Sequence, residues 1–324
     1  MENPAYTSVG FIGLGAMGKP MAEQLAIKLP TNVPLIVYDI VASAVTDLVE
    51  RYPGKVLAGK SPLDVTAKSQ VIFSMVPEGA HVKSVYLDET SGVCCRPLNN
   101  RMLVDCSTID LATSLAVKDQ ITRHHPQASF YDAPVSGGVI GAEKGTIAFF
   151  LGCSEDDPNL AQLAQLLNLM GKEFIPCGAP SLGLCAKLSN NYLSGLIAIA
   201  ASESLIMGMR GGLDPRVLSR VFAAGTGQNT IIDRFNPCPG VAPEAPSTRG
   251  YKGGFKVQLM KKDFSLAVAM AAQQGTRLAL GSAGLQLYGE AAEDPRCRDL
   301  DSRVVFRLLG GDENWKERFE ANND

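Results

Sequence analysis

The sequence is short of the residue types that several function classes need. Aromatic residues make up 6% of 324 residues with a single Trp, and there are three histidines. His81, His124 and His125 lack metal-ligand spacing, and the last two, followed by Pro126, read as a solvated helix end, so no metal is expected. Neither sign of charge dominates: 30 Lys and Arg against 33 Asp and Glu give −3 and a pI near 5.7. With no basic arm anywhere, nucleic-acid partners are not expected. Eight cysteines are too sparse for a disulfide scaffold and none is spaced C-x-x-C, Cys94 and Cys95 being merely adjacent. That pattern predicts an intracellular, reducing compartment. The most apolar stretch, Leu193 to Met209, is broken by Ser194, Ser202, Glu203 and Ser204, so no run reaches the roughly 18 apolar residues of a span and no membrane association is expected. Only eight residues precede the first strand-like run, so no signal or transit peptide is expected in this version of the chain.

What is present is an ordinary globular composition, 46% hydrophobic and 19% charged, long enough for two domains at about 150 residues each. In the first half, β-branched runs at Val9–Ile12, Leu35–Tyr38, Val71–Ser74, Met102–Asp105 and Ser129–Asp132 alternate with helical segments at Ala16–Leu29, Ala42–Arg51, Pro62–Lys68, Ala80–Leu87 and Leu111–Arg123. This is the rhythm of a parallel sheet covered by helices. Ile147–Leu151, a helix over Pro158–Met170 and Phe174–Pro176 are expected to extend that sheet. After Gly183 the texture changes, because Leu184–Gly208 is long, Ala-rich and apolar, and helical segments follow to the end. The stretch Asn236–Gly254, dense in Pro and Gly, cannot be regular structure; loops of that length inside a compact domain are usually functional or disordered.

Gly13-Leu14-Gly15-Ala16-Met17-Gly18 directly follows the first strand and opens a helix, so its glycines can turn tightly and admit a pyrophosphate to the helix N-terminus. Asp39, 21 residues past Gly18 at the end of the second strand, is placed to bond both ribose hydroxyls of NAD and to repel the extra phosphate of NADP. The expected fold is therefore α/β: a Rossmann-type parallel-sheet domain over residues 1–180, then an all-α domain over 181–324 for substrate and dimerisation, joined by a long helix.

A dinucleotide domain alone does not choose a reaction. None of the eight Tyr has Lys four residues on, which excludes the short-chain class. What remains is Lys187, near the start of the long helix, with Asn191 and Ser194 at i+4 and i+7 forming one polar stripe on an otherwise buried helix. A lysine in a cleft can shuttle a proton between a substrate hydroxyl and solvent, with Asn191 orienting it or the substrate; the bland alternative is a solvent-exposed helix start. Ser136 with the amides of Gly137 and Gly138 forms a donor-rich pocket suited to a carboxylate, unless it is simply a Gly-rich loop. In Asp105–Asp110, Thr108 could touch the nicotinamide half, or Ser107–Asp110 could cap the next helix.

These motifs together, Gly10–Gly18, Asp105–Asp110, Asp132–Gly138, Lys187–Asn191, Tyr251–Phe255 and Leu259–Asp263, resemble the β-hydroxyacid dehydrogenases over nearly the whole chain, most closely those acting on 3-hydroxyisobutyrate. The resemblance implies a catalytic Lys187, substrate-carboxylate contacts from Ser136, Gly137, Gly138 and Asn191, and cofactor contacts from Val76, Pro77, Thr108 and Lys262. His81 falls near the cofactor, where relatives often have Asn, and Phe255 and Asp263 close the cleft. It implies NAD-dependent oxidation of a short 3-hydroxy acid, with (S)-3-hydroxyisobutyrate first. Reduction of glyoxylate, succinic semialdehyde or tartronate semialdehyde is the alternative, and a non-catalytic dinucleotide-binding scaffold is the rival of a different class. The partners it implies are a small carboxylate substrate and a second copy of the chain, as homodimer or homotetramer through the helical domain, in the mitochondrial matrix or the cytosol.

Overall fold

The computed structural model describes residues 6–320, which divide into two compact units meeting between Lys187 and Leu188. In the first unit six parallel strands, β1 (Val9–Ile12), β2 (Leu35–Tyr38), β3 (Val56–Ala58), β4 (Val71–Ser74), β5 (Met102–Asp105) and β6 (Ser129–Asp132), form one sheet in the order β3-β2-β1-β4-β5-β6. The strand order reverses between β1 and β4, the place where doubly wound sheets bind ligands beyond their carboxyl ends. Strand β3 escapes the sequence pattern because it is three residues long with two of them exposed. Helices α1 (Gly18–Lys28), α2 (Ala42–Arg51), α3 (Pro62–Lys68), α4 (Gly79–Leu87) and α5 (Leu111–His124) connect the strands. Alternate strand residues feed two cores: Val9, Phe11, Val37, Phe73 and Val104 on one side, Ile12, Ile36, Ile72 and Leu103 on the other, as the two-residue period of a doubly covered sheet requires.

The expected extension of this sheet is corrected. Strands β7 (Val135–Ser136), β8 (Ile147–Leu151) and β9 (Gly171–Pro176) form a separate three-stranded sheet in which β7 and β8 are antiparallel. Pro134 has no N–H with which to continue the parallel ladder. Its carbonyl and that of Asp132 instead accept the amides of Phe150 and Gly152 at 3.0 and 2.8 Å. The chain thus leaves one sheet and enters the other within two residues. Helices α6 (Gly138–Glu143) and α7 (Leu160–Met170) pack here, and α8 (Leu182–Arg210) crosses from the first unit into the second.

The second unit holds the rest of α8 with α9 (Pro215–Ala224), α10 (Thr230–Arg234), α11 (Val257–Gln273), α12 (Gly281–Glu293), α13 (Val305–Leu308) and α14 (Trp315–Glu320). One core gathers Leu205, Phe306 and Trp315, another Tyr251, Phe264 and Tyr288. The Pro- and Gly-rich stretch contains one regular turn, a 3₁₀ segment at Pro246–Arg249. Side chains stitch the remainder in place: Ser247 Oγ donates to Asn236 O at 2.6 Å, Tyr251 Oη to Pro237 O at 2.8 Å and Trp315 Nε1 to Pro239 O at 2.7 Å.

Helix α8 is long and apolar enough to cross a membrane by length and composition, because the Gly and Ser that interrupt its apolar run are only weakly polar. Protein contacts already cover Leu188, Ala198 and Leu205. The expectation of an otherwise buried helix is corrected, since Leu193 is 58% and Met207 73% exposed.

Candidate active site

The glycine loop divides its labour. Gly13 has φ of +96°, and a Cβ there would run into the Met75 carbonyl oxygen, while one on Gly18 would run into that of Gly13. At Gly15 a Cβ would meet nothing within 4 Å. No side chain caps α1 at Met17. Open space at an uncapped helix start fits a pyrophosphate, whose oxygens would take the orphan amides. Asp39 is drawn into this loop, with Oδ2 accepting the Leu14 amide at 2.6 Å and Oδ1 the Val41 amide at 2.7 Å. Each carboxylate oxygen keeps a second lone pair for a ribose hydroxyl. These residues fit a dinucleotide.

The ends of β4 and β5 are tied together by a buried carboxylate. Asp105 is 0% exposed, and its Oδ1 accepts from Ser74 Oγ at 2.8 Å and Ser107 Oγ at 2.6 Å. The Val76 amide donates to Ser107 Oγ at 3.0 Å. Burial pushes the Asp105 carboxyl up to about 6, against the pull of both serines. The arrangement fixes the loop bearing Val76 and Pro77 against the loop bearing Thr108. Of the two readings of Ser107–Asp110, capping falls to Asp110, whose Oδ1 accepts the Thr113 amide at 2.8 Å. His81 is exposed in the first turn of α4.

Beyond β6, half-buried Ser136 leads into Gly137 and Gly138, with φ of +130° and +63°, at the start of α6. Lys187, in the second turn of α8, is only 7% exposed, against the bland reading of a solvent-exposed helix start. Asp132, 2% exposed at the end of β6, accepts the Ser181 amide at 2.7 Å and the Leu184 amide at 2.9 Å. Burial raises its pKa above the usual carboxylate range, opposed by these amides.

In the second unit Asn191, Lys262 and Asp263 come together. Asn191 Nδ2 donates to Asp263 Oδ2 at 2.6 Å, Asn190 Nδ2 donates to Asn191 Oδ1 at 3.1 Å, and Lys262 Nζ lies 3.2 Å from Asp263 Oδ1. Phe255 is held separately, its amide donating at 2.8 Å to Asp301, which is ion-paired with Arg303 at 2.9 Å. The sequence pattern assigns no role to Asp105, Asp132 or Asp301. The first two carried a signal, an Asp closing the apolar strands β5 and β6 where a parallel sheet buries its residues and an unsatisfied charge is costly. Asp301 carried none. Among the described residues no group of three or more His, Cys, Asp or Glu could hold a metal ion.

A reversing parallel sheet, a glycine loop open before an uncapped helix, and a buried lysine beyond the strand ends define a nicotinamide-dinucleotide-dependent oxidoreductase. Residues 8–178 match the family model for the NAD-binding domain of 6-phosphogluconate dehydrogenase, and residues 182–309 the one for NAD-binding of NADP-dependent 3-hydroxyisobutyrate dehydrogenase. The chain is 41% identical to a probable mitochondrial 3-hydroxyisobutyrate dehydrogenase of Dictyostelium discoideum, over 89% of this chain and 86% of that one. It is 36% identical to an NAD-dependent L-serine dehydrogenase of Pseudomonas aeruginosa, over 86% and 90%. A solved structure of 3-hydroxyisobutyrate dehydrogenase from Mycobacterium tuberculosis with L-serine superposes with a TM-score of 0.84 at 31% identity, over 94% and 99%. The chain belongs to the 3-hydroxyisobutyrate dehydrogenase family.

Proposed function

We propose that the protein oxidises a short 3-hydroxy acid, (S)-3-hydroxyisobutyrate first, to its semialdehyde, with NAD and with Lys187 as general acid–base. The observation that carries this is Lys187, a lysine 7% exposed at the start of a helix beside the strand that leads to Ser136–Gly138. When bound, the dinucleotide supplies the hydride acceptor. The Ser136 hydroxyl and the amides of Gly137 and Gly138 hold the substrate carboxylate, and Asn191, oriented by Asp263, contacts the same substrate. Lys187 Nζ takes the hydroxyl proton in oxidation and returns it to the carbonyl oxygen in reduction. Val76, Pro77, Thr108 and Lys262 contact the cofactor. Asp39 favours NAD, because its charge would face the 2′-phosphate of NADP.

L-Serine is the second reading, favoured by the serine dehydrogenase relative and by the serine in the superposed structure; it is itself a 3-hydroxy acid and would use the same groups. The exposed Leu193, Met207, Leu213, Val217 and Val221 support assembly of the helical unit with a second copy. Eight free thiols support a reducing compartment.

The test is kcat/KM with NAD and with NADP for (S)-3-hydroxyisobutyrate, 3-hydroxypropionate, L-serine and isobutanol. Charge-assisted bonds of about 1.5–3 kcal/mol predict that the acid outruns the alcohol by roughly 10- to 150-fold for each hydrogen bond that the alcohol cannot make. Equal rates on acid and alcohol would remove the anion pocket, and a preference for NADP would overturn the role of Asp39.

A further inference from the structure

Helix α8 begins without a cap of its own. Ser181, just before Leu182, is a residue type that caps helices through its hydroxyl, yet that hydroxyl is buried and makes no hydrogen bond. Its backbone is in the left-handed region at φ +65°, and this conformation turns its amide, with that of Leu184, onto the carboxylate of Asp132, 49 and 52 residues away in the chain. The first-turn amides of a helix need an acceptor, and a negative charge there is favourable. A local cap would satisfy the helix and leave it free to shift against the sheet. A remote cap satisfies it and fixes its place.

The pocket around the carboxylate is shaped for this. Gly152 donates its amide to the Asp132 carbonyl at 2.8 Å, and a Cβ on Gly152 would collide with Asp132 Oδ1. Lys187 is three residues beyond Leu184, less than one helical turn, and Ser136 is four residues beyond Asp132 on the segment that pairs with β8. One buried side chain therefore joins the element that presents the amine to the element that presents the anion pocket. We propose that Asp132 is a positioning residue for Lys187, setting the spacing between the proton-accepting amine and the pocket for the substrate carboxylate. This rests on the reading of Lys187 as general acid–base.

The test is a double-mutant cycle on the full chain with NAD and (S)-3-hydroxyisobutyrate. Asp132→Asn keeps the shape but offers one acceptor and turns an NH2 group against a backbone amide. It should lower kcat by about 10- to 100-fold, the scale of a roughly 1 Å misplacement, with KM and the dinucleotide Kd within about 3-fold of wild type. In a Lys187→Ala background the same change should alter the residual kcat by less than about 3-fold, because a residue acting through an absent lysine has nothing left to position. Gly152→Ala displaces the carboxylate without removing its charge and should show the same pattern. Full multiplication of the two losses would overturn the proposal while leaving Lys187 in its role. Near-normal turnover of Lys187→Ala alone would end the acid–base reading, and this proposal with it. If neither Asp132→Asn nor Gly152→Ala yields folded protein that binds dinucleotide, the carboxylate is a folding determinant and the proposal fails.

Discussion

The two units hold their candidate residues by different means. In the α/β unit most candidate groups follow a strand end: Gly13–Gly18, Val76–Pro77, Thr108 and Ser136–Gly138 are presented where strand order fixes their place, while Lys187 is carried by a helix anchored to the end of β6. In the helical unit Asn191 and Asp263 are 72 residues apart on two helices and meet only through side-chain packing. The difference teaches where to look for fragility. A parallel sheet delivers site residues by topology and needs buried anchors such as Asp105 and Asp132 to fix the loops, whereas a helical bundle needs the contacting side chains themselves.

The largest effect expected is on Lys187, at the junction of the two units. Lys187→Ala should lower kcat by at least about 100-fold, the scale of a lost general acid–base, with dinucleotide Kd unchanged. Steady-state kinetics beside a binding titration checks it; parallel losses in kcat and dinucleotide affinity would place the lysine in the fold and not in the chemistry.

Next comes the anchor in the sheet. The folded Asp105 carboxyl sits at about 6 because of burial, above the ordinary 3.8, so the fold favours its protonated form. Its contribution to stability is full below about pH 4 and is lost as pH rises through about 6, a swing of about 3 kcal/mol. Asp105→Asn has no such slope. The difference in unfolding free energy between variant and wild type should therefore move by about 2.5 kcal/mol in favour of the variant between pH 4 and pH 7. A difference that stays constant with pH would show that Asp105 does not carry this cost.

The contrast with the helical unit is tested by Asp263→Ala, which leaves the buried Asn191 amide without its charged acceptor. A loss of about 1.5–3 kcal/mol in stability is expected, with a raised KM for the acid. Chemical denaturation and substrate kinetics measure the two; an unchanged KM would detach Asn191 from the substrate.

The smallest effect falls on one position of the glycine loop. Gly15→Ala places its methyl in open space and should leave Tm within about 2 °C while weakening dinucleotide binding by about 10-fold or more, roughly 1.4 kcal/mol. Equal affinity in Gly15→Ala would mean that the pyrophosphate lies elsewhere.

Much of the α/β unit is legible because its signals are contiguous. Glycines at three fixed positions, a β-branched run before them and an Asp ending the next strand all lie within one βαβ unit, and burial on both faces makes those runs apolar. The helical half reads as helical from its period, and Lys187 stands out as a charge near the start of an apolar helix. Other features follow no local pattern. Pro134 was visible in Asp132–Gly138, yet only the paired amides of Phe150 and Gly152 show that the chain changes sheets there. Strand β3 has too few buried residues to register.

By itself, then, the sequence determined the dinucleotide loop, the alternation of strand and helix, and the change to an all-helical second half, since each depends on residues within about one element of each other. Tertiary structure alone decided that Asp39 also ties β2 to the glycine loop, that Asp132 rather than Ser181 caps α8, and that Asn191 is paired with Asp263. The physical reason lies in how the two kinds of order arise. Local propensity and periodicity act on neighbours in the chain, whereas a hydrogen bond across 52 or 72 residues exists only once packing has met the entropy of closing so long a loop.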